Sequence, residues 1–192
     1  MKYLCFALGW IMLIGCASTP KIIEETINSD AEYQKVQKEM CKRFMCQYNV
    51  RVTLKKKDGS LYDKTFDTMP VVQDEGVIVL AGHSVFFEAD IKDNQLINLK
   101  LVDTIVHPEK TVTAKFQQMD NGGMMLSLHN PFNKLLKVKM GIMPLNSEKL
   151  YNTSSCPVIA SGGSYEMWPY PIFQVWLGNL RLLDEQENIN CV

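Results

Sequence analysis

The pattern of apolar and polar positions divides the 192-residue chain near residue 45. Before that point one helical repeat stands out. Tyr33, Val36, Met40 and Phe44 recur at steps of three and four, which lines them up on one face of a helix over 30–44. Ser29 and Glu32 have capping-box spacing, so the helix start is marked. Lys42 and Arg43 stand in the last turn, where cations favour the helix dipole. The apolar face is expected to pack on the domain, with a partner-binding helix as the alternative. Ahead of the helix, residues 17–28 are polar and irregular, and an apolar run over 3–13 follows Lys2.

After residue 45 the period changes to two. Val50, Val52 and Leu54 alternate with Arg51, Thr53 and Lys55. Asp58-Gly59 supplies a turn, and residues 62–66 read as the returning strand. Residues 76–80 form a short apolar strand. Val85, Phe87 and Ala89 alternate with Phe86, Glu88 and Asp90. Ile97, Leu99 and Leu101 follow an Asp93-Asn94 turn. Val112, Ala114 and Phe116 share one side of the next strand, and Asp120-Asn121-Gly122-Gly123 turns the chain into Met124, Leu126 and Leu128. Leu136, Val138 and Met140 alternate with Lys137 and Lys139, and a last long strand lies within 172–183. About nine short strands with no further helix argue an antiparallel sandwich or barrel. The expected fold is mainly β: an immunoglobulin-like sandwich with one N-terminal helix. A two-lobed β domain divided near His107-Pro108 is the alternative.

The apolar run ends in Leu13-Ile14-Gly15-Cys16. A positive start, a short apolar core and small residues at a cut site have the outline of a secretory signal. The run stops well short of the about 20 apolar residues that a membrane-spanning helix needs. Its last four residues resemble the lipobox of bacterial lipoproteins. That resemblance implies a signal peptide over 1–15, an acylated Cys16, palmitate included, as the first mature residue, a tether over 16–29 and a single domain over 30–192. Ala17, rather than Asp, implies the outer membrane of the cell envelope, with the domain facing the periplasm.

Removing Lys2 with the signal leaves 19 basic residues of the original 20 against 21 acidic ones, a net charge of −2. That balance excludes a nucleic-acid footprint. Six cysteines become four once Cys5 is cleaved away and Cys16 is acylated: Cys41, Cys46, Cys156 and Cys191. An even number in an exported chain implies two disulfides. Pairing Cys41 with Cys46 and Cys156 with Cys191 is favoured and requires the helix to break between the first two. The crossed connectivity is the alternative.

Chemistry-bearing motifs are missing. His83, His107 and His129 lie too far apart in sequence for a metal motif, and there is no P-loop, dinucleotide fingerprint or nucleophile elbow. No cofactor is implied. Glu88 and Asp90 fall on one strand face, where paired carboxylates serve acid/base work or, more ordinarily, face solvent. Met119, Met124, Met125, Met140 and Met143 suit either Cu(I) or a packed core, and the core is favoured. Lys55-Lys56-Lys57 before the Asp58-Gly59 turn forms either a solvated tip or a contact for anionic lipid headgroups.

The remaining unusual stretch runs over 156–176. It holds Ser161-Gly162-Gly163-Ser164-Tyr165 and Trp168-Pro169-Tyr170-Pro171 and reads as a Cys-held loop. Prolines lower the ordering cost of binding, and Trp and Tyr dominate protein interfaces. Ser161, Tyr165, Trp168 and Tyr170 are therefore candidate partner-binding residues, unless Trp168 and Tyr170 cap the core. Ser161-Gly162-x-x-Tyr165 also resembles the S-G-x-x-Y motif of periplasmic lysozyme inhibitors, whose Ser and Tyr enter the enzyme cleft. The expected function is a non-enzymatic, membrane-anchored lipoprotein that binds or scaffolds a protein partner. The alternative is an inhibitor or immunity protein acting on a cell-wall hydrolase such as lysozyme through the 161–170 loop.

Overall fold

The computed structural model describes residues 30–184 together with 187, 190 and 191. The apolar run, Cys16, the tether and Ser29 lie outside these residues. One helix, α1 (Asp30–Met40), precedes eleven strands. They are β1 (Met45–Lys55), β2 (Leu61–Gln73), β3 (Gly76–Leu80), β4 (His83–Lys92), β5 (Gln95–Val102), β6 (Thr111–Gln118), β7 (Met124–Asn130), β8 (Leu136–Pro144), β9 (Tyr151–Thr153), β10 (Gly162–Trp168) and β11 (Ile172–Leu182).

All strand pairs are antiparallel. The hydrogen-bonded order is β1-β2-β3-β11-β5-β4-β6-β7-β10, with β8 also on β11 and β9 on β8. The mainly β, antiparallel character is as expected. The strands form one connected open sheet of eleven, not two separate ones. The link between β11 and β5 is the single pair Arg181–Gln95, so the sheet has a narrow waist there. One apolar cluster draws on every strand except β9. Residues 107–108 fall between β5 and β6, which flank β4 on its two sides, so neighbours in the sheet come from both sides of that point.

Period-two burial explains most of the register. In β1, Val50, Val52 and Leu54 are buried and the residues between them exposed. β4, β6, β7 and β8 bury Val85, Phe87, Phe116, Leu126, Val138 and Met140 in the same way. Met124 and Met140 are completely buried, which accounts for them as core. β5 departs from the expected alternation. Asn98 adopts φ 52° and the β4–β5 register shifts between Glu88 and Asp90. The bulge changes the facing, so Leu96, not Ile97, is the buried residue at the strand's start.

Two disulfides form, Cys41–Cys46 and Cys156–Cys191, which is the favoured pairing and not the crossed one. The first requires a chain reversal, and α1 accordingly ends at Met40, four residues before the expected end, with turns through Phe44. The helix face also differs from expectation. Val36 is exposed, while Gln37 is buried against the sheet beside Tyr33 and Met40. Tyr33 meets Phe66 edge-to-face at 5.9 Å, and Gln34 Oε1 accepts the Asp67 amide at 3.2 Å.

Gln37 Oε1 and Thr68 Oγ1 are both buried without a hydrogen-bond partner. A buried unsatisfied polar atom costs about 1–3 kcal/mol, and an apolar side chain of similar shape removes the cost. Gln37→Met should therefore raise the unfolding free energy by about 1 kcal/mol in urea denaturation. A loss of stability would show that Gln37 is needed where it stands.

Candidate functional site

The hydrogen-bonding order ends at three strands, β1, β9 and β10. An open strand edge is a template for a further strand, and proteins ordinarily protect it. β1 is protected by side chains. Gln118 on β6 bonds both the amide and the carbonyl of Lys55, at 2.8 and 2.9 Å, and His83 Nε2 donates to the Arg51 carbonyl at 2.8 Å. Met45 Sδ accepts the Leu101 amide at 3.1 Å, tying the start of β1 to β5. His83 is thus a satisfied residue that closes an edge. β9 has only three residues.

Among the described residues, β10 has neither protection. It has seven residues, paired along its whole length with β7 from Gly162–Asn130 to Trp168–Met124. It contains no proline, no lysine and no register shift. Alternate residues point two ways. Gly163, Tyr165 and Met167 face solvent, and Trp168 faces the core. Tyr165 and Met167 are 67% and 65% exposed, which makes them the apolar contact points of this edge. Glu166, the only charge in β10, accepts the Cys156 amide at 3.4 Å.

The expected 161–170 loop is therefore mostly a strand. Its four candidate residues do not form one site. Ser161 is exposed at φ 48° in the turn before β10, with its amide donating to the Phe132 carbonyl at 2.7 Å. Tyr165 lies on the outward face of β10. Trp168 is buried, edge-to-face with Phe116 at 6.1 Å, and its Nε1 donates to Thr153 Oγ1 at 3.3 Å. Tyr170 leaves the strand and lines a cleft. Sequence reasoning missed Met167, although it stands two residues after Tyr165 and four after Gly163, a spacing that carried the signal.

That cleft, of about 660 Å³, opens between the β1–β2 hairpin, the end of β8 and the β10–β11 turn. Tyr62, Pro144, Leu145, Tyr170 and Pro171 line it, and Lys56 and Lys57 stand at its rim. Tyr62 is held edge-to-face by Phe173 at 6.1 Å, and the Leu145 amide donates to the Pro171 carbonyl at 3.2 Å. Lys57 Nζ lies 5.7 Å from the Tyr170 ring centroid. A second cleft, of about 570 Å³, lies beside Trp176 at the waist between β11 and β5.

Glu88 and Asp90 are each engaged by a different neighbour. Glu88 is 3.0 Å from Lys110 Nζ, and that hydrogen bond holds its carboxyl below the ordinary range. Asp90 accepts from Asn98 Nδ2 at 3.0 Å. Neither lines either cleft. Among the described residues, no group of three or more His, Cys, Asp or Glu side chains is placed to hold a metal ion. No described helix is long and apolar enough to cross a membrane. No known family model, no curated protein and no solved structure matches this chain.

Proposed function

We propose that this protein is a non-enzymatic, lipid-anchored protein of the outer membrane, facing the periplasm, which binds a partner protein by accepting an extended strand at β10. The supporting observation is the contrast between edges: β1 is closed by side chains and β9 is short, whereas no described residue pairs with the outer edge of β10. Strand addition draws affinity from main-chain hydrogen bonds and specificity from alternate side chains. Tyr165 and Met167 supply the latter on the outward face. We also propose that this one sheet folds over itself into an immunoglobulin-like, two-layered scaffold around the core drawn from every strand except β9.

Anchoring rests on the Leu13-Ile14-Gly15-Cys16 signature. Cys16→Ser should leave an unprocessed precursor without acyl label, and normal maturation of that variant would remove the anchor from the proposal. For the edge, Tyr165→Lys/Met167→Lys should abolish crosslinked capture of the partner from intact cells. Lysine on an exposed edge blocks further pairing, and folding should be unchanged because both side chains stand in solvent. Equal capture by both proteins would end the strand-addition reading.

The inhibitor reading keeps one observation in its favour: Ser161 and Tyr165 are both exposed. Contact with a hydrolase would then run along a strand edge and not through an inserted loop. Inhibition of lysozyme by the wild type, lost in Tyr165→Ala, would decide for it.

A further inference from the structure

The cleft end of the molecule carries an uneven charge and an exposed apolar rim. Lys55, Lys56, Lys57 and Lys149 stand there against Asp58, Glu148 and, on the neighbouring β6–β7 turn, Asp120. Asp58 is engaged within its own turn, where Oδ1 accepts the Ser60 amide at 2.9 Å and the Ser60 hydroxyl at 2.7 Å. None of the four lysines forms an ion pair with a carboxylate among the described residues. Beside them Leu61, Leu150 and Tyr151 are exposed, and Tyr170 lines the cleft.

A second observation concerns direction. α1 runs alongside β2 and in the same sense. Near the helix start, Tyr33 packs on Phe66, with Lys64 Nζ 5.8 Å from the Tyr33 ring. Beyond the helix end, Arg43 pairs with Asp74 at 3.2 Å, just past the last residue of β2. The helix start therefore lies toward the Leu61 end of β2, about 17 Å along the strand from Phe66 to Leu61. Asp30, where the described chain begins, therefore lies on the lysine-tip side of the helix's far end.

We propose that this end docks on the headgroup layer of an anionic bilayer, the one that holds the protein's own anchor. Lysine ammonium groups meet lipid phosphates, while Leu61, Tyr170 and the apolar cleft lie at the boundary below. The inference rests on the Cys16 reading for the identity of that bilayer. Docking there fixes the tilt of the domain and leaves β10, a separate edge, to its partner.

The test uses the full-length protein reconstituted into vesicles of phosphatidylcholine alone, or of phosphatidylcholine with phosphatidylglycerol. Amide exchange is followed at residues 55–62 and 144–151, with 92–95 as the reference. That reference turn, at Asn94, is clasped to Lys134 and Asp184 away from the tip. Exchange at the two tip segments should slow about fivefold in the anionic vesicles, with no change at 92–95. High salt and Lys55→Gln/Lys56→Gln/Lys57→Gln should each abolish the slowing. Equal exchange in the two vesicles would overturn the proposal, and so would slowing that survives the triple substitution. Equal slowing by soluble polyglutamate would overturn it in favour of an acidic chain. The mass of Cys16 in the same sample separates the failures. Acylated Cys16 without slowing defeats this inference alone, whereas slowing without acylation defeats only the anchor.

Discussion

Trp168→Ala should lower the unfolding free energy by about 4 kcal/mol, while Tyr165→Ala, three residues earlier on the same strand, should change it by less than about 0.5 kcal/mol. The two side chains point in opposite directions. Trp168 is buried, touches the fully buried Phe116, and ties the end of β10 to Thr153 through its indole N–H. Truncation leaves a void beside Phe116 and removes a bond between β10 and the segment that follows β8. Tyr165 has two-thirds of its surface in water and leaves no void. Urea denaturation of both variants measures the difference, and comparable midpoints would contradict the assignment of faces in β10. The same contrast separates stability from binding: loss of partner capture in Trp168→Ala would report unfolding, whereas loss in Tyr165→Lys/Met167→Lys would report the surface.

Asn130→Ala should cost about 3 kcal/mol, an unusually large effect for a polar residue. Asn130 is completely buried at the end of β7. Its Nδ2 donates to the carbonyls of Lys134 at 2.8 Å, Ile159 at 3.1 Å and Val158 at 3.3 Å, and its Oδ1 accepts the Phe132 amide at 3.0 Å. One side chain therefore supplies the partners for two loop segments that would otherwise bury bare backbone groups. Val158 in turn exchanges two backbone hydrogen bonds with Leu136 at the start of β8, so the loss reaches β8 as well. Asn130→Asp, which keeps the volume and the acceptor but loses the donors, should be destabilised too. A cost under about 1 kcal/mol for both variants would mean that water replaces the amide at this site.

The strands that were legible in the sequence share one property: each buries one face and exposes the other. Val50 to Leu54 and Val85 to Ala89 are of this kind, and their register follows from alternation alone. Where a backbone irregularity intervenes, the same rule misleads, as the left-handed Asn98 does in β5. The helix face was misjudged for a different reason. Gln37 is buried by the closeness of β2, a tertiary contact that outweighs the polarity of its side chain. β10 was hidden by its own composition, since Gly162, Gly163 and Ser164 carry turn signals while pairing with β7 imposes a strand. The cleft could not be read at all. Its walls come from residues 56–62, 144–146 and 170–171, and only the fold brings them together. The closure of β1 by Gln118 and His83 is equally long-range. The contrast between a closed and an open edge is therefore a property of the structure, as is the choice between the cysteine pairings, while the even cysteine count and the anchor signature belong to the sequence.

β10 is proposed as the edge at which a partner is received. A photo-crosslinking amino acid placed at Tyr165 tests it directly in intact cells, with Tyr48 as the control. Tyr48 is equally exposed, at 65%, but lies on β1, whose edge is closed farther along at Arg51 and Lys55. A discrete crosslinked partner is expected from position 165 and none from position 48. No adduct at 165, or the same adduct from both positions, would contradict it.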